Sequence, residues 1–222
     1  MRLMNAEASA HNPKMNYMLK NDEANIDFVQ FAPAVRSGDS PYDPNIMFLR
    51  CAYANAIAPA VINDYLMIGK DELEIDIAYC LIKQLTMGVP AISIDLLNST
   101  YEQRAVLKAW IGLYNSALKE IHMNGTIEPQ NSSLTCWQRV DNLTKKALIS
   151  IIHPCNCIET LLDVEKTYIL NASSDNIIFI KESHLKNNKM IKTFNYLHKL
   201  SDEYSISPKT CSITIPTSGY GV

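Results

Sequence analysis

The sequence predicts a mixed fold, an α/β part followed by an antiparallel all-β part, with the change near Gly125. Three observations predict it. From residue 26 to about 123, short apolar runs alternate with helix-period segments, the pattern of parallel strands joined by crossover helices. After Gly125 the runs turn short and β-branched or aromatic, separated by Asn, Asp, Ser and Pro, at roughly the 8–12-residue spacing of a β-sandwich. No glycine-rich phosphate fingerprint follows any predicted strand, so a nucleotide-binding α/β fold has no support.

The first 25 residues show no clean period. "IDFVQFAPAV" (26–35) is short, apolar and ended by a turn, which predicts a strand. Asp43-Pro44 has the form of a helix start, and Ile46, Phe48, Leu49, Ala52 and Tyr53 then recur at helical spacing up to Pro59. "AVINDYLMIG" (60–69) predicts a second strand, interrupted at Asn63-Asp64. "KDELEIDIAYCLIKQLTMG" (70–88) predicts an amphipathic helix, acidic in its first turn and closed by glycine. "VPAISIDLL" (89–97) is a third strand. The helix predicted over 99–125 opens with Ser99 or Thr100 as cap and Glu102 or Gln103 in the third position of a capping box. Its stripe of Val106, Leu107, Trp110, Leu113, Tyr114, Ala117 and Ile121 follows the helix period, so the two aromatics belong to a core rather than to a ligand platform. Beyond Gly125, runs such as "KALISIIHP", "KTYILNAS", "NIIFIKES", "KMIKTFNYLHKL" and "CSITIPTSGYGV" predict strands, with Trp137 packing at the junction.

Composition narrows the function classes. The chain has 222 residues, 47% apolar and 19% charged, which suits a globular protein with a sizeable core. A net charge of −3 without a basic stripe argues against nucleic acid as a partner. No apolar run approaches the roughly 20 residues of a membrane helix. The start "MRLMNAEASAHNPKMN" lacks the apolar core of a secretory signal, so no membrane partner and a cytoplasmic location are expected. Six cysteines are scattered without a CxxC pair, and the histidines show no partner pattern, so no metal site is expected.

The candidate chemistry lies where acids follow predicted strands. From spacing alone "SGDSPYDP" reads as a turn, since Gly, Asp, Ser and Pro are turn and helix-start residues. Asp39 and Asp64 both follow predicted strands, while Asp95 sits inside the strand predicted over 89–97, where it could face a barrel mouth or cap or pair locally, and it ranks below Asp39. In barrels of alternating strands and helices the working residues stand at such strand ends.

Three stretches in order, "VRSGDSPYDP", "NDYLMIGKDE" and "GVPAISIDLLNSTYEQRAVLKAWIGLYNSALKEIHMNG", followed by "KTYILNAS", resemble the C-terminal part of the melibiase-type α-galactosidases, glycoside hydrolase families 36 and 27. The resemblance covers about residues 26 to 222. It implies the last three or so strand–helix units of a (β/α)8 TIM barrel over residues 1–125 and an antiparallel β-sandwich domain over 126–222. It implies retaining hydrolysis of α-linked galactosides or related sugars, with a carbohydrate substrate and no metal or cofactor. By match, Asp39 would be the general acid/base, Arg36 would orient it or bind sugar, and Asn63 and Asp64 would lie near the sugar pocket. The family's nucleophilic aspartate stands on an earlier strand with no counterpart in residues 1–25, so the chain is expected to be a fragment lacking it. A non-catalytic carbohydrate-binding or structural remnant is the alternative. An incomplete barrel exposes parallel edges and an inner face, so self-association into a homo-oligomer is expected of the chain made alone.

Overall fold

The computed structural model describes residues 18–20, 34–38, 43–58, 60–155, 158, 164–179, 189–206 and 212–222. Asp39 and most of the strand predicted over 26–35 lie outside them. The fold is mixed α/β, and the chain divides into two compact units: Met1–Met67 with Met87–Ser93, and Ile68–Thr86 with Ile94–Val222. Gly125 falls inside the second unit, where helix gives way to strand.

The first unit is organised by strands β1 (Met18–Lys20), β2 (Ala34–Arg36), β3 (Val61–Ile68) and β4 (Val89–Ile94), adjacent in that order. β1–β2 and β2–β3 pair in parallel. No barrel closes among the described residues. Helix α1 (Pro44–Ile57) begins where the sequence predicts, with the Asp43 carboxylate accepting from the N–H groups of Asn45 and Ile46 and Pro44 in the first turn. Met47, Phe48, Cys51 and Ala54 form its buried face. The Cys51 thiol donates to Asn63 Oδ1 at 2.8 Å, and Asn63 Nδ2 donates to the Val89 carbonyl at 3.0 Å. Those bonds explain why β3 runs unbroken through Asn63-Asp64 instead of being interrupted there: a buried asparagine is tolerated in a strand once both ends of its amide are satisfied. Gly88 is required by close approach, since a Cβ there would stand 2.4 Å from the Val61 carbonyl oxygen.

The second unit takes in most of helix α2 (Glu74–Met87). It begins four residues later than predicted, because Lys70 and Asp71 form a turn. Helix α3 (Tyr101–Leu113) has the predicted capping box, made by Thr100 and Gln103. A π-helical segment, Tyr114–Leu118, leads into α4 (Lys119–Asn124). Its wider turn keeps Tyr114, Ala117, Leu118 and Ile121 all buried. The sequence read this span as one regular helix, and the predicted apolar stripe is the buried face throughout.

The helical span covers one face of a seven-stranded sheet. The strands are β5 (Thr126–Pro129), β6 (Cys136–Asp141), β7 (Lys146–Ile151), β8 (Lys166–Asn171), β10 (Lys189–Phe194), β11 (Leu200–Ile206) and β13 (Gly219–Gly221). They lie in the order β11-β10-β13-β8-β7-β6-β5. All neighbours are antiparallel except β7 and β8, which are parallel, a departure from the predicted meander. Parallel neighbours need a crossover instead of a tight turn, and a long connection separates these two. The other face is covered by β9 (Ile177–Phe179) paired with β12 (Ser212–Thr214). Ile178, Ile213 and Ile215 pack there on Cys136, Ile149, Ile151 and Ile169.

Trp110 locks the helical face. It is fully buried, and its Nε1 donates to the Tyr196 carbonyl at 3.1 Å. Its ring meets His198 edge-on at 4.8 Å and Tyr220 at 6.0 Å, while Tyr220 stacks on Phe194 at 4.7 Å. His198 Nε2 is buried without a hydrogen-bond partner among the described residues. Burial pushes the His198 imidazole down to about 4 from 6.5. Above pH about 6.5 the ring is neutral both folded and unfolded. Between there and about 4 only the unfolded chain takes up the proton, so stability drops as pH falls through that window and levels off below it. His198→Phe should flatten this acid limb in urea-unfolding midpoints measured from pH 7.5 to 4. An unchanged slope would show that the imidazole is already charged in the fold.

Candidate functional site

Arg36 is the last residue of β2, with Ile62 as its register partner on β3. Val35 pairs with Val61, and Asn63 alternates with Ile62, so Arg36 and Asn63 lie on opposite faces of the sheet. Asn63 is 1% exposed and its amide is engaged at both ends, by Cys51 and Val89. It ties helix α1 to strands β3 and β4. Asp64 lies inside β3 rather than beyond its end, because the strand continues to Ile68. Its side chain, like all of Asp39, lies outside the described residues. Of the two expected site residues whose side chains are described, Arg36 and Asn63 face opposite sides of the sheet.

Asp95 has a more complete setting. It follows β4 directly and stands on the wall of a cleft of about 500 Å³, with Ile68, Lys70, Ile94, Asn98 and Gln103. The cleft opens at the carboxyl ends of β3 and β4, the end at which open and closed parallel α/β sheets hold their ligands. A shallower hollow of about 430 Å³ adjoins it, sharing Gly69 and Lys70 and lined by Asp71, Glu72 and Asp76.

Both walls are held by side chains. Asp95 Oδ1 accepts from the N–H groups of Leu97 (3.0 Å) and Asn98 (3.3 Å), and Oδ2 accepts from Asn98 Nδ2 at 2.5 Å. The Asn98 amide, then the backbone N–H groups of Asn98 and Leu97, hold the Asp95 carboxyl below the usual carboxylate range. The Arg104 guanidinium braces the same loop through the carbonyls of Ser99 and Leu96. Gln103 holds the opposite wall. It is 1% exposed, its Oε1 accepts from Thr100 N–H, and its Nε2 reaches the carbonyls of Gly69 (3.2 Å), Lys70 (3.1 Å) and Glu72 (2.9 Å).

The sequence places Asp95 inside a strand predicted over 89–97, but β4 ends at Ile94 and Asp95 opens the turn after it; Gln103 is legible only as a cap. The second use of Gln103 depends on a loop more than thirty residues upstream, and nothing local announces it. Lys70 and Asn98 carried no signal beyond turn composition. Cys80 sits near the hollow, where burial, then the Glu72 carboxylate, pushes its thiol up to about 11, so it is not a nucleophile at neutral pH. Among the described residues no group of three or more His, Cys, Asp or Glu side chains is arranged to hold a metal ion. No helix among them is long and apolar enough to cross a membrane.

No protein-family model matches the chain, and comparison with curated proteins gives no match.

Gln103→Ala would leave three loop carbonyls without their donor. It should cost about 1–3 kcal/mol of stability and speed amide exchange across residues 69–73 ahead of the rest of the second unit. Exchange that stays uniform there would mean that the loop is held by something other than Gln103.

Proposed function

We propose that the chain is the C-terminal part of a retaining glycoside hydrolase of α-galactosidase type. One observation supports this most: the strands β1, β2 and β3, adjacent in chain order and paired in parallel, are followed along the chain by a largely antiparallel β-structure. That is the order of parts in the resembling family. Arg36 at the end of β2 stands three positions before Asp39, and in the resembling family an arginine precedes the acid/base aspartate by a few residues, though often at a wider gap.

The chemistry assigns unlike roles to the carboxyls. Retaining hydrolysis uses two of them, roughly 5–5.5 Å apart, one as nucleophile and one as acid/base. Asp39 is the acid/base in this reading. It protonates the leaving glycosidic oxygen and then deprotonates the water that releases the sugar. Arg36 orients it or binds sugar, and Asp64 lies near the same pocket. The nucleophile comes from sequence outside this chain.

A second reading, a carbohydrate-binding or structural remnant without turnover, is favoured by a different fact. Among the described residues Asp95 is the one carboxylate on the cleft wall, where hydrolysis needs a pair.

Asp39→Asn, made in the protein that carries this chain, should lower kcat on an aryl α-galactoside by about 10²–10⁴-fold. Azide should restore part of the turnover, because a small anion can attack the glycosyl intermediate without a general base. A rate unchanged by the substitution removes Asp39 from the reaction.

A further inference from the structure

We propose that the cleft at the carboxyl ends of β3 and β4 is a sugar subsite in which the Asp95 carboxylate and the Asn98 amide receive the hydroxyls of a neutral hexose. It rests on the glycosidase reading for its place on the sheet, and on its own residues for its chemistry.

The volume, about 500 Å³, falls within the ~300–1,000 Å³ of small-molecule sites. The cleft walls carry Lys70 and Asp95, and the adjoining hollow adds Asp71, Glu72 and Asp76, a balance that disfavours an anionic ligand. The cleft lies beside the N-terminus of α3, where a phosphate would otherwise be the natural ligand. Here the capping box takes two of the donors at that end of the helix: Thr100 N–H is taken by Gln103 and Gln103 N–H by Thr100. A carboxylate next to the same turn repels an anion further. What remains is a neutral ligand that both donates and accepts.

The groups left over match such a ligand. Asp95 Oδ2 holds one internal hydrogen bond and keeps a lone pair for a hydroxyl donor. Asn98 Oδ1 and Lys70 Nζ take no partner among the described residues, giving one further acceptor and one donor. Because Asp95 is held ionised, it accepts from sugar hydroxyls across the neutral range. Ile68 and Ile94 supply an apolar floor for the C–H face of the ring.

The test is a ¹H–¹⁵N titration of the whole chain with galactose and methyl α-galactoside, with inorganic phosphate as the competing probe. Both sugars should shift the amides of Leu97 and Asn98 and the Asn98 side chain. Asp95→Ala and Asn98→Ala should each weaken binding at least fivefold. Asn98 donates only to Asp95, so its loss leaves the fold intact should Asp95→Ala unfold the turn. Three outcomes overturn the proposal: no shift at these residues with either sugar; a larger shift with phosphate; or sugar shifts confined to residues 36–64 and abolished by Asp39→Asn. If the cleft shifts persist while Asp39→Asn leaves hydrolysis unchanged, the catalytic reading fails and the subsite stands.

Discussion

A sheet that is apolar on both faces must be covered on both, and most of the second unit follows from that requirement. β7 and β8 are buried along almost their whole length, with Leu148 and Leu170 toward one side and Ile149 and Ile169 toward the other. The two covers are unlike. The α3–α4 span lies on the first side, fixed by Trp110 and by the Glu120–Lys146 ion pair. The β9–β12 pair closes the second side with an isoleucine cluster. The helix that ends the α/β part of the sequence therefore also forms one wall of the β part. This is why the compact units divide ahead of it and not at Gly125. Tyr220 shows how tight the arrangement is. It stacks on Phe194 between two glycines, and a Cβ on Gly219 would stand 2.2 Å from the Phe194 carbonyl oxygen.

The features legible in the sequence are those whose causes are local. Asp43-Pro44 announces α1 because a cap and a fixed φ act within three residues. Thr100 and Gln103 announce α3 for the same reason, and the stripe from Val106 to Ile121 is buried as its period requires. What stayed hidden is settled by distant partners. Asn63-Asp64 resembles a strand break until Cys51 and Val89 are seen to satisfy the asparagine. The parallel pairing of β7 with β8 depends on how a long connection crosses, which alternation of side chains does not encode. The candidate site divides the same way. Asp95 is visible as an acid in an apolar strand run, whereas the wall opposite it exists because Gln103 reaches back to the loop at 69–72.

The environment of Asp95 also decides which part it can take in glycoside cleavage. A general acid must hold its proton near neutral pH, and enzymes achieve this by withdrawing the carboxyl from water and from donors. Asp95 is treated in the opposite way: it is exposed, and the Asn98 amide and two backbone N–H groups favour its charged form. Protonating it would forfeit those bonds, so it is a poor proton donor to a leaving oxygen. A fixed, ionised carboxylate suits an acceptor for hydroxyls. The acid of the proposed reaction must then come from a segment with a different environment. Asp39 is the acid that the resemblance offers for that part, and under the proposed function the two acids would divide the work: Asp39 would handle the proton and Asp95 would hold the sugar.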